Sequence, residues 1–444
     1  MTAARILHTS DWHLGGHVRG EPRAADHDEV IDEICGHAAD FGPDLILHTG
    51  DLFDGTRPGH DDLLRGLRAI RRLADVAPVV VLAGNHDAPS CFELLAEAVG
   101  APPPAKGWDP HAVCRDRIRF LPRPATAERG AVATYETAGG PLLRLACLPF
   151  VHANRVITGM EDIAALNATY ADKIRKIVAS ISERVFTGFD PSAMVAVWAS
   201  HLHVHDAKVS SEKNIHVAES YATDPAHFDA GYSYLAFGHI HRPQDLPGGR
   251  GRYAGSPLEI DFGEEGERKT VVEITAAPAS RAGIRPVELT TGRRLRRLRG
   301  SLADIASMAG AVGRDLCVVT VDDGADDVDS LNRAVRDALP DACILQVIDG
   351  RTPAAVALDD LLDEPEAQAE ESIGTAYRRW LTEGDGDPHV PGAELTRVVE
   401  LFDELLAAVD SAGEPDPVES AELQRLETAA LAAGGPSAST PETA

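Results

Sequence analysis

The chain has 444 residues, of which 44% are hydrophobic, so it exceeds the usual size of one domain and has ample apolar material for packed cores. Its 70 acidic residues outnumber its 42 basic residues, which excludes binding of a nucleic-acid backbone through the net field of the whole surface. A nucleic-acid substrate would therefore require a local basic patch, metal ions or a partner protein.

Targeting signals and cysteine motifs are both missing from the sequence pattern. The first residues lack the charged and apolar regions of a secretory signal, and no apolar run approaches the roughly 20 residues that span a bilayer. We therefore expect a cytoplasmic protein with no membrane association. The six cysteines are far apart and form no CxxC pair, which argues against a zinc ribbon, a redox motif or a disulfide framework and predicts plain core thiols.

Up to about residue 278, short apolar runs alternate with helix-like stretches. The runs are ARILHTSD, DLILHTGD, VVVLAGNHD, LLRLACLPF, MVAVWASH and SYLAFGHIH, and they are typical of buried strands. Apolar residues spaced three or four apart predict helices over 29–41, 61–74 and 169–185. This alternation is an α/β pattern, and we assign residues 1–278 to one domain.

The rest of the chain divides into four predicted segments. A small second domain, 284–355, is expected from a strand, a helix at 331–339 and another strand. Residues 356–372 predict an acidic, solvated linker, and residues 373–412 predict a helical segment with an apolar stripe on one face. Residues 413–444 are low in complexity and predict a disordered tail.

Five of the apolar runs end in residue types that bind metals. Because the carboxyl ends of the strands lie along one edge of an α/β sheet, residues far apart in sequence can converge in a single crevice there. The alternative is a set of caps and buried polar residues with structural roles only, and it would require five coincidences. The clusters are Asp11-Trp12-His13, Gly50-Asp51, Gly84-Asn85-His86-Asp87, Ser200-His201 and Gly238-His239-Ile240-His241.

The types of ligand in these clusters narrow the chemistry. Two carboxylates, an amide oxygen and four imidazoles exceed what one ordinary ion binds, but they suit two ions if one carboxylate bridges them. A nitrogen and oxygen set without thiolate favours manganese, iron or zinc over calcium and makes magnesium alone a poorer candidate. Two metals about 3.5 to 4 Å apart clamp a phosphate and generate a hydroxide nucleophile. Phosphoester hydrolysis is the reaction that fits best.

The order D-x-H, G-D, G-N-H-D, H and G-H-x-H resembles that of the calcineurin-like metallophosphoesterases. Within that superfamily, ILHTSDWHLG, GDLFD, LAGNHD, LAFGHIHRPQ and RYAGSPLEIDFGE are similar to the SbcD-type exonuclease subunits. The resemblance covers residues 4–275 well, and the following domain resembles that family's capping domain more loosely. It implies an α/β, four-layer α+β fold: a double β-sandwich flanked by helices, then a small α/β capping domain and a C-terminal helical segment.

The resemblance also implies how two divalent metal ions, with manganese the expected element, would be held. Asp51 would bridge the pair. One ion would be bound by Asp11, His13, Asp51 and His241. The other would be bound by Asp51, Asn85, His201 and His239.

Three further residues receive expectations from the same resemblance. His86 matches the general acid, which would protonate the leaving oxygen or stabilise the charged phosphorane. Asp87 is expected to orient a neighbouring histidine. Asp54 stands where archaeal relatives carry a second histidine, which leaves open whether any group assists His86.

Other histidines and a basic run have ordinary interpretations beside the functional ones. We favour structural roles for four histidines that fall outside the pattern: His8, His48, His203 and His205. The stretch GRRLRRLRG (292–300) has five arginines in nine residues. It could contact DNA phosphates, or it could be a solvated face that pairs with acidic residues.

As an enzyme, the chain is expected to be a metal-dependent exonuclease and endonuclease in DNA repair, recombination and replication. The resemblance implies that it trims double-stranded DNA ends and opens hairpins in an ATP-regulated complex with an SbcC-type coiled-coil ATPase, as a homodimer within a heterotetramer. The helix in 373–412 is expected to dock on that ATPase. Two alternatives stay open: a small-molecule phosphoesterase of the same fold, and a metal-free scaffold protein.

Overall fold

A computed structural model of the chain describes residues 3–101, 108–152, 163–209, 222–323 and 327–351, with the side chains of 163–169 left out. The predicted acidic linker, docking helix and tail lie outside these residues. None of the helices in this described part combines the length and apolarity of a membrane span. All six cysteines are in it, as free thiols that are buried or half-buried.

The secondary structure alternates strands and helices, as the sequence predicts. In chain order the strands are β1 (Ala4–Thr9), β2 (His17–Val18), β3 (Glu21–Pro22), β4 (Leu45–His48), β5 (Val79–Leu82), β6 (Ile118–Leu121), β7 (Val132–Tyr135), β8 (Leu142–Leu148), β9 (Met194–His201), β10 (Tyr234–Gly238), β11 (Gln244–Asp245), β12 (Gly251–Tyr253), β13 (Thr270–Ala276), β14 (Gly283–Glu288), β15 (Leu295–Gly300), β16 (Leu316–Val321) and β17 (Cys343–Asp349). The helices are α1 (Ala24–Phe41), α2 (His60–Val76), α3 (Pro89–Ala98), α4 (Ile163–Phe186), α5 (Leu302–Ser307), α6 (Ala309–Val312) and α7 (Val328–Ala338). The predicted helices over 29–41, 61–74 and 169–185 are confirmed within α1, α2 and α4.

Two six-stranded sheets form the body of the molecule. The first has the order β14-β13-β1-β4-β5-β6, in which β1, β4, β5 and β6 are parallel. The second has the order β11-β12-β10-β9-β8-β7, in which β8, β9, β10 and β12 are parallel. Strands buried on both faces read as continuous apolar runs, which is why the sequence revealed them so clearly.

Three buried clusters show how the sheets and helices are layered. Ile6 and Leu47 of the first sheet pack with Leu145 and Val197 of the second, so the inner faces of the sheets meet. Helices α1, α2 and α3 cover the outer face of the first sheet, and α4 covers that of the second. This is a double β-sandwich flanked by helices, so the predicted four-layer fold is confirmed.

A third, three-stranded sheet follows, with the order β15-β16-β17 and all strands parallel. Its core includes Val319, Leu331 and Val335 and is separate from the others. The strand, helix and strand that the sequence predicts correspond to β16, α7 and β17.

The predicted start of the second domain at residue 284 is wrong. Strand β14 pairs antiparallel with β13 from Thr270 opposite Glu288 to Thr275 opposite Gly283, so it is an edge strand of the first sheet. Leu289 is also buried in the first sheet's helical core. The sequence misled because β14, GIRPVE, is largely exposed and lacks the continuous apolar run of a central strand. We propose that the second domain begins after Leu289.

Helix α1 bonds the segment that leads into the third sheet. Asp26 accepts hydrogen bonds from the backbone N of Arg293 at 2.9 Å, from the Arg293 guanidinium at 2.9 Å and from Arg23 Nε at 2.7 Å. Glu29 pairs with Arg314 at 2.6 Å. Burial alone would raise the pKa of Asp26, but Arg293 and Arg23 outweigh it and hold the pKa below its ordinary value.

We predict that Asp26→Ala lowers the free energy of unfolding by about 3 kcal/mol at pH 7, because it leaves the buried Arg23 without a counter-charge. Since the pKa of Asp26 is lower in the folded state, its contribution is present above the unfolded value of about 3.9 and is lost as pH falls through the folded value. The gap between parent and variant should therefore shrink in acid. Urea denaturation at several pH values measures this.

The control is Asp28→Ala, which removes an exposed partner of Arg65. We expect it to change the free energy of unfolding by less than about 1 kcal/mol. Equal destabilisation by the two variants would contradict the role assigned to Asp26.

Candidate metal centre

The structure brings all eight predicted site residues to one edge of the two sheets. Asp11 and His13 follow β1, Asp51 follows β4, and Asn85 and His86 follow β5 of the first sheet. From the second sheet, His201 is the last residue of β9, and His239 and His241 follow β10. The carboxyl ends of strands from both sheets therefore meet in one place.

The backbone at these strand ends adopts a conformation that non-glycine residues rarely take. Asp11, His13, Asp51 and His239 have φ values of 52°, 48°, 51° and 98°. Such residues cost on the order of 1 to 3 kcal/mol each and persist only where the surroundings fix them. Here the loops fix one another, because Asp11 N donates to Gly50 O at 2.9 Å and His13 N donates to Asp51 O at 3.1 Å.

Two glycines allow these loops to approach closely. A Cβ atom on Gly50, whose φ is 109°, would lie 2.1 Å from Nδ1 of His201. A Cβ atom on Gly84 would lie 2.1 Å from Oδ1 of Asp51 and 2.4 Å from its backbone nitrogen. The glycines that precede Asp51 and Asn85 in the motifs are therefore required by packing against site residues.

The first group of ligand-type side chains is Asp11, His13 and His241. One candidate ligand atom from each lies within 4.8 Å of the others. Nε2 of His13 and Nε2 of His241 are 3.2 Å apart. Their Nδ1 atoms point to acceptors instead, at 3.2 Å from Asp54 Oδ1 and 2.9 Å from Glu264 Oε1. Both rings therefore direct Nε2 into the shared space.

The second group is centred on Asn85. Its Oδ1 lies 2.9 Å from His201 Nε2 and 2.9 Å from His239 Nδ1. His201 Nδ1 donates to the carbonyl of Thr49 at 2.8 Å, which leaves Nε2 for a ligand. An amide oxygen and two imidazole nitrogens thus converge on the side of the site opposite His13.

Asp51 lies between the two groups. Its Oδ2 is 3.4 Å from His201 Nε2 and 3.7 Å from His13 Nε2, and its Oδ1 accepts from the backbone N of His86 at 2.8 Å. One ligand atom of Asp11 also approaches Asp51 and His201. The distribution of two ions over these residues, with Asp51 as the bridge, stays a prediction.

The electrostatics of the site favour a bound cation. Burial raises the pKa of Asp11, whereas in Asp51 the effect of burial is outweighed by His201, His86 and His13, which hold the pKa well below its usual value. Burial would lower the pKa of His201, but Asp51 and Asp11 raise it to about 9. Buried carboxylates thus demand positive charge, and the nitrogen and oxygen donors present fit two divalent ions.

His239 and His241 lie in different groups although only one residue separates them. In a regular strand, residues at i and i+2 point the same way. Strand β10 ends at Gly238, and the left-handed φ of 98° at His239 turns the chain out of the strand. His239 therefore approaches Asn85 while His241 approaches His13.

His86 lies beside the first group and is half-buried. Its Nδ1 donates to the carbonyl of Asp54 at 2.7 Å, and its ring centre is 4.8 Å from that of His13. With Nδ1 held by a carbonyl, Nε2 is the nitrogen that can carry or release a proton. Asp54 thus contacts both histidines, through its carboxylate to His13 and through its backbone to His86.

The expectation that Asp87 orients a histidine is wrong. Its carboxylate accepts from the backbone N–H groups of Gly84 at 2.9 Å, Leu52 at 3.2 Å and Phe53 at 3.1 Å. It therefore binds the loop after β4 to the loop after β5. The sequence suggested a histidine only because His86 is the neighbouring residue in the chain.

Sequence reasoning missed Glu264. It lies within the motif string RYAGSPLEIDFGE, but nothing in its spacing connects it to the histidine motifs. The nearest clue is that the acid follows so closely on a family-like stretch. Its bond to His241 depends on a turn that only the folded chain reveals.

The histidines and arginines with ordinary interpretations behave as follows. His8 is buried and bonds Tyr234 Oη and Thr49 Oγ1, both at 2.9 Å, and burial lowers its pKa to about 3. His48 packs edge-on against Trp12, and burial likewise lowers its pKa to about 3. Arginines of the 292–300 run pair with acidic residues, which favours the ion-paired interpretation: the pairs are Arg293–Asp26, Arg296–Asp315, Arg297–Glu265 and Arg299–Asp322.

Comparison with known proteins agrees with this site. The calcineurin-like phosphoesterase family matches residues 4–243. The SbcD component of the nuclease SbcCD from Bacillus subtilis is 30% identical over 299 residues, which are 66% of this chain and 71% of that protein. The chain belongs to the calcineurin-like phosphoesterase family, among its SbcD-type members.

Other relatives of this phosphoesterase are consistent with that placement. The protein of the same name from Escherichia coli K12 is 28% identical over 356 residues, which are 76% of this chain and 83% of that protein. A solved dimetal phosphatase from Danio rerio covers 65% of this chain and 98% of its own, at 12% identity and a TM-score of 0.36. The predicted class, a phosphoester hydrolase with candidate metal ligands, is confirmed by the family.

We predict that Gly84→Ala reduces hydrolysis of a simple phosphodiester about 100-fold, because the new methyl group displaces Asp51 by an ångström or more. Hydrolysis of bis-p-nitrophenyl phosphate with Mn²⁺ measures the effect. Gly36→Ala is the matched control, since a Cβ atom there meets nothing within 4 Å. Parental activity in Gly84→Ala would show that the close approach does not matter.

Proposed function

We propose that this phosphoesterase is a DNA nuclease subunit that hydrolyses phosphodiester bonds at double-stranded ends and in hairpins with two divalent ions, of which manganese is the expected metal. The observation that carries the proposal is the position of the Asp51 carboxylate between two groups of ligand-type side chains, with His86 bonded to it through the backbone. The relatives are named as the SbcD component of a nuclease, which supports nucleic acid, and DNA in particular, as the substrate class.

In the proposed reaction the two ions, when bound, supply a hydroxide nucleophile at neutral pH and neutralise charge on the phosphate. The side chains that would hold them are those of the two groups together with Asp51. The contribution of Asp54 is to fix neighbouring rings: its carboxylate holds Nδ1 of His13, and its carbonyl holds Nδ1 of His86. Neither ring then has to reorient as the reaction proceeds.

His86 is the residue we propose as general acid. Its backbone N–H is bound to Asp51 and its Nδ1 to Asp54, so the ring is placed by two hydrogen bonds beside the metal ligands. Its Nε2 can then donate a proton to the leaving oxygen. A positioned acid of this kind contributes on the order of 10² to 10⁴ in rate.

The charge of the chain supports the action of a partner. With a formal net charge of −28, the chain cannot attract DNA through its overall field. We propose that an SbcC-type ATPase supplies much of the DNA binding, that it is contacted by residues 373–412, and that the protein works as a homodimer within a heterotetramer. A role in DNA repair, recombination and replication follows from that proposal.

The test is cleavage of end-labelled linear duplex and hairpin DNA by the purified chain with and without the ATPase, in the presence of Mn²⁺ and ATP. We expect cleavage of both substrates in the complex. If DNA stays intact while bis-p-nitrophenyl phosphate is hydrolysed, the protein is a small-molecule phosphoesterase. If neither is cleaved, it is a scaffold.

We predict that His86→Gln lowers DNA cleavage by about 10² to 10⁴-fold while leaving the affinity for Mn²⁺ unchanged, because the variant loses the acid but no ligand. Single-turnover cleavage and calorimetric Mn²⁺ titration separate the two effects. His111→Gln, on the exposed surface, is the control and should behave as the parent. Loss of Mn²⁺ together with activity would make His86 a ligand rather than an acid.

A further inference from the structure

A buried chain of polar groups lies behind His241. His241 Nδ1 donates to Glu264 Oε1 at 2.9 Å, and Glu264 Oε2 is 2.6 Å from Nζ of Lys269. Glu264 and Lys269 are both fully buried. A buried ion pair is weak evidence for stability, because desolvation of both charges can exceed their attraction. Its location directly behind a candidate metal ligand therefore points to a functional role.

Lys269 holds the surroundings of His241 at several points. Besides Glu264, its Nζ donates to the backbone carbonyl of His241 at 3.2 Å, to Ser256 Oγ at 3.0 Å and to Glu267 Oε2 at 2.9 Å. Glu264 and Lys269 thus fix both the ring and the backbone of His241. A carboxylate fixed in this way cannot rotate away from the imidazole.

The Nδ1 partners of two other ligand-type histidines are different. That of His201 is the neutral carbonyl of Thr49. That of His13 is Asp54, whose side chain is 47% exposed. A carbonyl fixes the orientation of an imidazole, whereas a carboxylate also raises its basicity and so its strength as a ligand, most of all where water is excluded. His241 is therefore set up as a strong ligand.

We propose that Glu264 is a positioning residue for the ion bound by the Asp11, His13 and His241 group, and that Lys269 holds the Glu264 carboxylate in place. The proposal rests on the proposed function only in requiring two divalent ions. It assigns to Glu264 a specific effect on one ion, since Glu264 bonds His241 directly, whereas Thr49 and Asn85 hold the rings of the second group.

The test is Mn²⁺ binding by the full chain carrying Glu264→Gln, followed by calorimetric titration and by electron paramagnetic resonance. Glutamine keeps the size of the side chain and removes its charge. We expect the affinity for one of two Mn²⁺ ions to fall about 10 to 100-fold, with the other unchanged. The exchange-coupled dimanganese signal should disappear at Mn²⁺ concentrations that saturate the parent.

Glu267→Gln is the matched control, because Glu267 bonds Lys269 from the other side. This variant should bind both ions as the parent does, even if its melting temperature falls. A purely structural role for Glu264 would lower the melting temperature of both variants and leave both Mn²⁺ affinities at the parental value. That result would overturn the proposal, as would a parent that binds fewer than two ions.

A second variant covers the possibility that Glu264→Gln fails to fold with Lys269 left buried and charged. The double variant Glu264→Gln with Lys269→Met removes both charges. It should show the same selective loss of one ion, and two ions at parental affinity would overturn the proposal. A parent that binds two Mn²⁺ ions but leaves DNA intact would instead count against the nuclease function alone.

Discussion

The buried carboxylate of Asp51 is the feature on which the rest of the site depends. It lies between His13 and His201, which come from different sheets, at 3.7 and 3.4 Å. Placing a carboxylate there requires a left-handed φ at Asp51 and a glycine at position 84, where any side chain would collide with it. A negative charge held this tightly and kept from water must be compensated, and nearby histidines and bound cations are the available means.

Around Asp51, the neighbouring loops are held by groups that lie behind the ligand-type side chains. Asp87 binds three backbone N–H groups and so fixes the loops after β4 and β5. Asp54 and Glu264 orient His13 and His241 from behind. The strain at the strand ends is thus maintained by a shell of hydrogen bonds, which is the usual condition for a precise metal site.

The sequence predicts the double β-sandwich and the gathering of the ligand-type residues because both depend on short-range patterns. A central strand is a continuous apolar run, and a strand end is the polar cluster that follows it. Strand β14 escaped because an exposed edge strand has no such run. Asp87 and Glu264 escaped for another reason: their partners are set by how loops from distant parts of the chain meet, and spacing carries no information about that.

The central claim is that Asp51 bridges two ions, one in each group. Anomalous diffraction from crystals grown with Mn²⁺ tests it most directly. The account predicts two peaks about 3.5 to 4 Å apart, with Asp51 contacting both, His241 contacting only one and His239 only the other. A single peak, or two peaks of which Asp51 contacts only one, would contradict it.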